Sequence, residues 1–158
     1  MTPRTKIIRV GLADKSPLIQ AALRHLLAED ERFRLVHVSS TCEEFLHNVA
    51  KKRIDVGVIG WIIGPCDGRL ILDHLNIQEN PPRIVVYTGH PSNTVPAHVM
   101  THGGAAFVSK GEQPDVLLDT IEAVANGRMV FPYIDVKKIY DNPLGTLTRR
   151  ELEVLSKL

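Results

Sequence analysis

An α/β fold, built on a doubly wound five-stranded parallel sheet, is what the sequence predicts, and two observations predict it. Short β-rich apolar runs alternate with helical patterns from residue 6 to residue 126. Strands separated by helices are joined by crossovers, which leave neighbouring strands parallel. Two of the runs, 56–61 (VGVIGW) and 83–88 (RIVVYT), are almost continuously apolar, as strands covered on both faces must be.

Each element has its own signal. Residues 6–13 (KIIRVGLA) are the first strand-like run, ending at Asp14. Ser16-Pro17 then caps and opens a helix with Leu18, Ile19, Ala22, Leu23, Leu26 and Leu27 on one face. A second strand falls near 34–39 (RLVHVS). Thr41 and Glu44 beyond it have capping-box spacing, with Phe45, Leu46 and Val49 along the helix they start. The run at 56–61 is the third strand, 68–78 a helix, and 83–88 the fourth strand. A weaker helix near 93–102 holds Pro96 close to its start. The fifth strand is 105–109 (AAFVS), and the last helix runs from Pro114 to Asn126, where Gly127 is placed to stop it. In open parallel sheets a site lies beyond the carboxyl ends of the strands, where the strand order switches. Those ends are Asp14-Lys15, Gly60-Trp61, Thr88-Gly89 and Lys110-Gly111.

A net charge of +1 supplies no general attraction to nucleic acid or membrane, so any DNA contact has to come from a local patch. Neither a membrane-length apolar run nor the apolar stretch of a signal peptide is present, which leads us to expect a cytoplasmic protein with no membrane partner. Cys42 and Cys66 are the two cysteines, in a chain large enough to fold without stapling, and are expected to be reduced thiols.

The texture changes after Asn126. Residues 127–146 mix Pro, Gly and a short amphipathic stretch, and Thr148 and Glu151 then have capping-box spacing ahead of Leu152, Val154 and Leu155. The expected division is an α/β domain over 1–127, a linker with a short helix over 128–146, and one helix of a further domain over 147–158. A twelve-residue helix cannot bury a core of its own, so a truncated domain is expected there.

With these segments in place, the chain resembles a bacterial two-component response regulator of the NarL/LuxR type. IRVGLADKSPLIQAALRHLL is similar to the family's opening strand and helix, and Asp67-Gly68 to the pair that starts its third helix. VVYTG carries the hydroxyl residue, Thr88, and GGAAFVSKGEQPDVLLDTIEAVANG the lysine, Lys110, and the fifth helix. LTRRELEVL, with Thr148, Arg149, Arg150 and Glu151, is similar to the opening of the LuxR-type helix-turn-helix. The resemblance implies a flavodoxin-like receiver domain and a DNA-binding transcriptional regulator. It also implies phosphoryl transfer to an aspartate ending the third strand, and a magnesium ion held by that aspartate and by carboxylates ending the first. A Ser/Thr and a lysine would grip the phosphoryl oxygens, and a switch aromatic, here Phe107, would reshape the output face.

The sequence departs from this pattern where the chemistry is most demanding. Counting without gaps from Asp55-Val56 and from Asp67-Gly68 puts the acceptor position at Gly60, which has no nucleophile. The second acidic position is Lys15, and only Asp14 is retained. A lysine about 4 Å from a divalent ion would cost roughly 8 kcal/mol at an effective dielectric near 20. A metal-free, cofactor-free and non-enzymatic pocket is therefore expected, with Lys15 and Lys110 gathered on Asp14, and with Trp61 and its apolar neighbours partly covering it. Thr88 and Lys110 then read as structural remnants as readily as functional ones. His98 and His102 have i, i+4 spacing that suits zinc or copper, but no third ligand lies nearby in sequence, so surface or packing roles are expected. Cys66 is expected to be an inert thiol.

The resulting reading is a phosphorylation-independent regulator. Its degenerate receiver dimerises, through the first and fifth helices or the segment around Phe131–Tyr140, and DNA is met through the domain that 147–158 begins. The alternatives are a pocket near Lys15 and Lys110 that senses a small ligand or a regulatory protein, and phosphorylation at an unexpected acceptor.

Overall fold

Twelve elements follow one another within residues 6–89 and 94–132, which the computed structural model describes. They are β1 (Ile8–Ala13), α1 (Pro17–Ala28), β2 (Phe33–Ser39), α2 (Cys42–Lys51), β3 (Val56–Ile59), β4 (Ile62–Ile63), β5 (Cys66–Asp67), α3 (Gly68–Asn76), β6 (Arg83–Thr88), α4 (Val95–Thr101), β7 (Ala106–Ser109) and α5 (Pro114–Ala125). Five strands form one parallel sheet in the order β2-β1-β3-β6-β7, with helices on both faces, as the alternation of the sequence predicts. The order reverses between β1 and β3, so the switch point lies beside the ends of those two strands. The linker helix and the helix-turn-helix start lie outside the described residues from 133 onward.

Local chemistry sets the helix starts. Ser16 accepts the Ile19 N–H with Pro17 at the first position of α1, and Thr41 accepts the Glu44 N–H at the head of α2. Asp67 accepts the Arg69 N–H at the head of α3. Gly127, at a φ of 92°, ends α5 in a left-handed turn. Packing divides into two layers. Leu23, Leu27, Leu117 and Ile121 cover one face of the sheet, and Phe45, Ile71, Leu72, Leu75 and Val99 cover the other.

Two expectations are corrected. The third strand ends at Ile59, not at residue 61, because Gly60 and Trp61 turn out of the sheet into an antiparallel hairpin, β4-β5, with Gly64 at a φ of 66° at its tip. The Gly64-Pro65 pair is a turn signal between the third strand and the helix that follows it. Second, Cys42 and Cys66 are not reduced: they form a disulfide, with Cα atoms 6.6 Å apart. Twenty-four residues separate them in sequence, and only the hairpin folding back on α2 brings them together. The residues after α5 also return to the sheet. Val130 pairs with Ala106 at the edge of the sheet, its N–H donating to the Ala105 carbonyl and its carbonyl accepting from Phe107 N.

His37, on β2, is buried against Phe45, in space that Gly11 leaves open. A Cβ at residue 11 would sit 2.7 Å from the imidazole Nε2. Burial first, and the charge of Lys52 second, lower the His37 pKa from 6.5 to about 4. Between those values the unfolded chain binds a proton that the folded chain refuses. The contribution is therefore complete above about pH 6.5 and is lost as pH falls. At pH 5 the loss comes to about 2 kcal/mol. Urea midpoints measured at pH 7 and pH 5 check this. The drop is expected to shrink in His37→Leu, and an identical drop in that variant would place its origin elsewhere.

Candidate functional site

The ends of β1, β3, β6 and β7 bring Asp14, Gly60, Thr88 and Lys110 to one end of the sheet. Asp14 directly follows Ala13, the last residue of β1, and only 4% of it is exposed. Its Oδ1 accepts the Ser16 N–H at 2.8 Å, which fixes the turn into α1, and its Oδ2 takes Lys110 Nζ at 3.0 Å. The Gln20 amide reaches back from α1 to the Asp14 carbonyl at 2.6 Å and to Ser40 Oγ at 3.0 Å, tying the end of β1 to the end of β2. Gln20 was not singled out from sequence, since a glutamine one turn into a helix carries no signal until the strand ends are placed.

Gly60 lies against this carboxylate. Its N–H donates to the Ala13 carbonyl at 2.8 Å, and a Cβ built on it would stand 3.3 Å from Asp14 Oδ2. The place next to the retained carboxylate thus belongs to a residue with no side chain, and the cation on that carboxylate is Lys110. Lys110 also lies 5.9 Å from the centre of the Tyr87 ring. Burial, and then the negative charge of Asp14, push the Tyr87 phenol up from its ordinary pKa. Thr88 is buried at the end of β6, and its carbonyl accepts the Lys110 N–H at 3.0 Å, which sets where the lysine leaves β7.

Two expectations about the pocket change. Lys15 does not join Lys110 on Asp14: it is exposed, and no ion pair of Lys15 occurs among the described residues. The reason is the turn itself, since Asp14 Oδ1 is taken by the Ser16 N–H and its Oδ2 faces β7. Trp61 does not lie over the carboxylate either. It is 6% exposed, packed in the layer with Ile59 and Ile71, and it meets the head of α3, where a Cβ on Gly68 would fall 2.8 Å from the indole. Phe107 is half-buried against that same layer.

Magnesium, which the family resemblance implies, does not fit this donor set. An octahedral oxygen shell needs carboxylates free to face the ion. Among the described residues Asp14 is the only carboxylate at the junction, both of its oxygens are engaged, and a lysine ammonium already sits on one of them. Among the described residues no group of three or more His, Cys, Asp or Glu side chains converges on a point suited to a metal. His102 pairs with Asp73 at 2.8 Å, linking α4 to α3. Neither does any helix of the described residues have the length and apolarity to cross a membrane.

Comparison with known proteins agrees with this architecture. The chain is 32% identical over 158 residues to the "Probable transcriptional regulatory protein SgaR" of Hyphomicrobium methylovorum, an alignment spanning all of this chain and 75% of that protein. Its fold is similar to that of a LuxR-family two-component response regulator from Aurantimonas, with a TM-score of 0.76 at 19% identity, covering 88% of this chain and 99% of that one. It is also similar to RcsB in a structure of two RcsB dimers bound to two parallel DNAs (TM-score 0.73, 18% identity), where 80% of this chain matches 64% of that one. The family model described as the response regulator receiver domain matches residues 10–122, and the chain belongs to that family.

Proposed function

We propose that this chain is the regulatory part of a DNA-binding transcriptional regulator whose receiver domain works without phosphorylation of an aspartate. One observation carries the reading: at the end of β3, Gly60 faces Asp14, and Asp14 is held by Lys110 at 3.0 Å. Phosphoryl capture needs a nucleophilic oxygen at that strand end, and glycine supplies none. The lysine that would grip a phosphoryl oxygen is instead paired within the protein. The pocket thereby keeps a built-in charge arrangement in place of one that comes and goes with phosphate.

The rest of the reading follows the relatives. SgaR is named as a transcriptional regulatory protein, and RcsB is seen as dimers on DNA. Carried to this chain, residues 1–127 are the receiver domain, 128–146 a linker, and 147–158 the first helix of a LuxR-type helix-turn-helix, with Thr148, Arg149, Arg150 and Glu151 at its start. Pairing of two copies would place two such DNA-binding domains on two half-sites and multiply the effective affinity.

The direct test is incubation with acetyl phosphate and magnesium, followed by intact mass measurement. We expect no gain in mass. A stoichiometric, acid-labile phosphoryl adduct would overturn the reading. Sedimentation of the same samples is expected to give one association state with and without the phosphodonor.

A further inference from the structure

The disulfide sits in the one part of the described fold that no other strand supports. The hairpin β4-β5 consists of two residue pairs, Ile62 with Asp67 and Ile63 with Cys66, and a two-stranded hairpin of that size is marginal by itself. Its base is Gly60-Trp61, at the end of the central strand, and its exit is Asp67, whose side chain caps α3. Cys42 is the first residue of α2 and is 2% exposed, while Cys66 opens β5 and is half-buried. The bond therefore joins the head of α2 to a hairpin that starts at Gly60 and finishes at the head of α3.

We infer that Cys42 and Cys66 form a reversible thiol–disulfide exchange site that fixes or releases this hairpin. Two observations favour exchange over a permanent staple. The layer built on Leu23, Leu27, Leu117 and Ile121 contains neither cysteine and no hairpin residue, so one face of the sheet has a core that does not depend on this bond. Both sulfurs also have acceptors in place for the reduced state: Cys66 Sγ lies 3.3 Å from the Ile63 carbonyl, and Cys42 Sγ lies 3.8 Å from the Asp67 carbonyl. Once reduced, each S–H would find a partner without rearrangement of the sheet.

The chemistry needs an external dithiol, or two molecules of a monothiol such as glutathione. A thiolate attacks the more exposed sulfur, that of Cys66, and Cys42 departs as a thiolate and takes up a proton. The second external thiol then attacks the mixed disulfide and releases Cys66. Two electrons pass from the donor thiols to the protein, two protein thiols form, and the donor leaves as its disulfide. Oxidation runs the same steps backwards.

Trp61, the single tryptophan of the chain, is a built-in reporter. Its carbonyl accepts the Gly68 N–H at 2.7 Å and its ring packs at the head of α3, so it feels both ends of the hairpin. The proposal deepens the phosphorylation-independent reading by naming an input, but its test is separate from it. The chain is equilibrated in buffers of reduced and oxidised glutathione, thiols are counted by alkylation and mass, and Trp61 emission and amide exchange are followed. With excess reduced glutathione we expect two alkylated cysteines in the folded protein and a shift of Trp61 emission. Exchange at residues 62–67 should be faster by roughly tenfold or more, with β1 and β3 unchanged. The variant C42S/C66S is expected to show the reduced-state signals in every buffer. Should it fail to fold, wild-type protein alkylated after mild reduction serves instead.

The proposal is overturned if the bond resists reduction until the whole domain unfolds, since it would then be a staple. It is equally overturned if both cysteines remain alkylatable in oxidised buffer, or if reduced and oxidised forms share the same emission and hairpin exchange. A phosphoryl adduct in the mass experiment would defeat the phosphorylation-independent reading while leaving these results standing.

Discussion

Substitution of Gly60 by aspartate is expected to lower stability by about 3 kcal/mol in metal-free buffer and to make the chain respond to magnesium, which the parent should not do. The new Cβ stands 3.3 Å from Asp14 Oδ2, so the added carboxylate faces an existing one across a few ångströms. Two like charges about 4 Å apart repel by roughly 4 kcal/mol at an effective dielectric near 20. Lys110, already on Asp14, can bridge to the second carboxylate and offset part of that. The backbone itself is no obstacle, since Gly60 is not among the glycines with positive φ. Millimolar magnesium should return much of the loss, because a divalent ion between two carboxylates turns their repulsion into shared ligation. Thermal melts of both proteins with magnesium and with a chelator decide the matter. Equal magnesium insensitivity in the two would mean that the end of β3 does not point its side chain into the pocket.

Replacing Lys110 with methionine should cost a similar amount, about 3 kcal/mol, through the group it leaves behind. Asp14 would keep the Ser16 N–H but lose its cation, and its side chain is only 6% exposed. The lysine is 27% exposed, so solvent screens part of the interaction, which places the figure at the low end for breaking a buried pair. A double-mutant cycle with Asp14→Asn separates the pair from its surroundings, since asparagine can still accept from Ser16. The expected coupling is about 2 kcal/mol, and it should persist in high salt because the carboxylate is buried. Coupling near zero would show that Lys110 is a solvated end-of-strand lysine and that the pair does not organise the pocket.

These two variants separate what glycine at the strand end does from what the lysine does. The first tests where residue 60 stands, and the second whether the charge that would otherwise meet phosphate is already in use. Together they address the pocket without relying on any readout from DNA.

The sequence by itself determined the sheet and its layers. Apolar continuity at 56–59 and 83–88 marks strands buried on both faces, and Ser16 and Thr41 mark helix starts by side-chain bonds that span three residues. Such signals are local, so a linear reading finds them. Alignment along the chain likewise put Asp14, Gly60, Thr88 and Lys110 at strand ends. What only the tertiary structure decided is what meets what. Lys15 and Lys110 look equivalent in sequence, yet the turn at Ser16 leaves one in solvent while β7 delivers the other to Asp14. Two cysteines 24 residues apart become one bond only because a short hairpin folds back onto α2. Pairing across an α/β sheet depends on which strands are neighbours, and the β2-β1-β3-β6-β7 order exists only once the chain has crossed over itself.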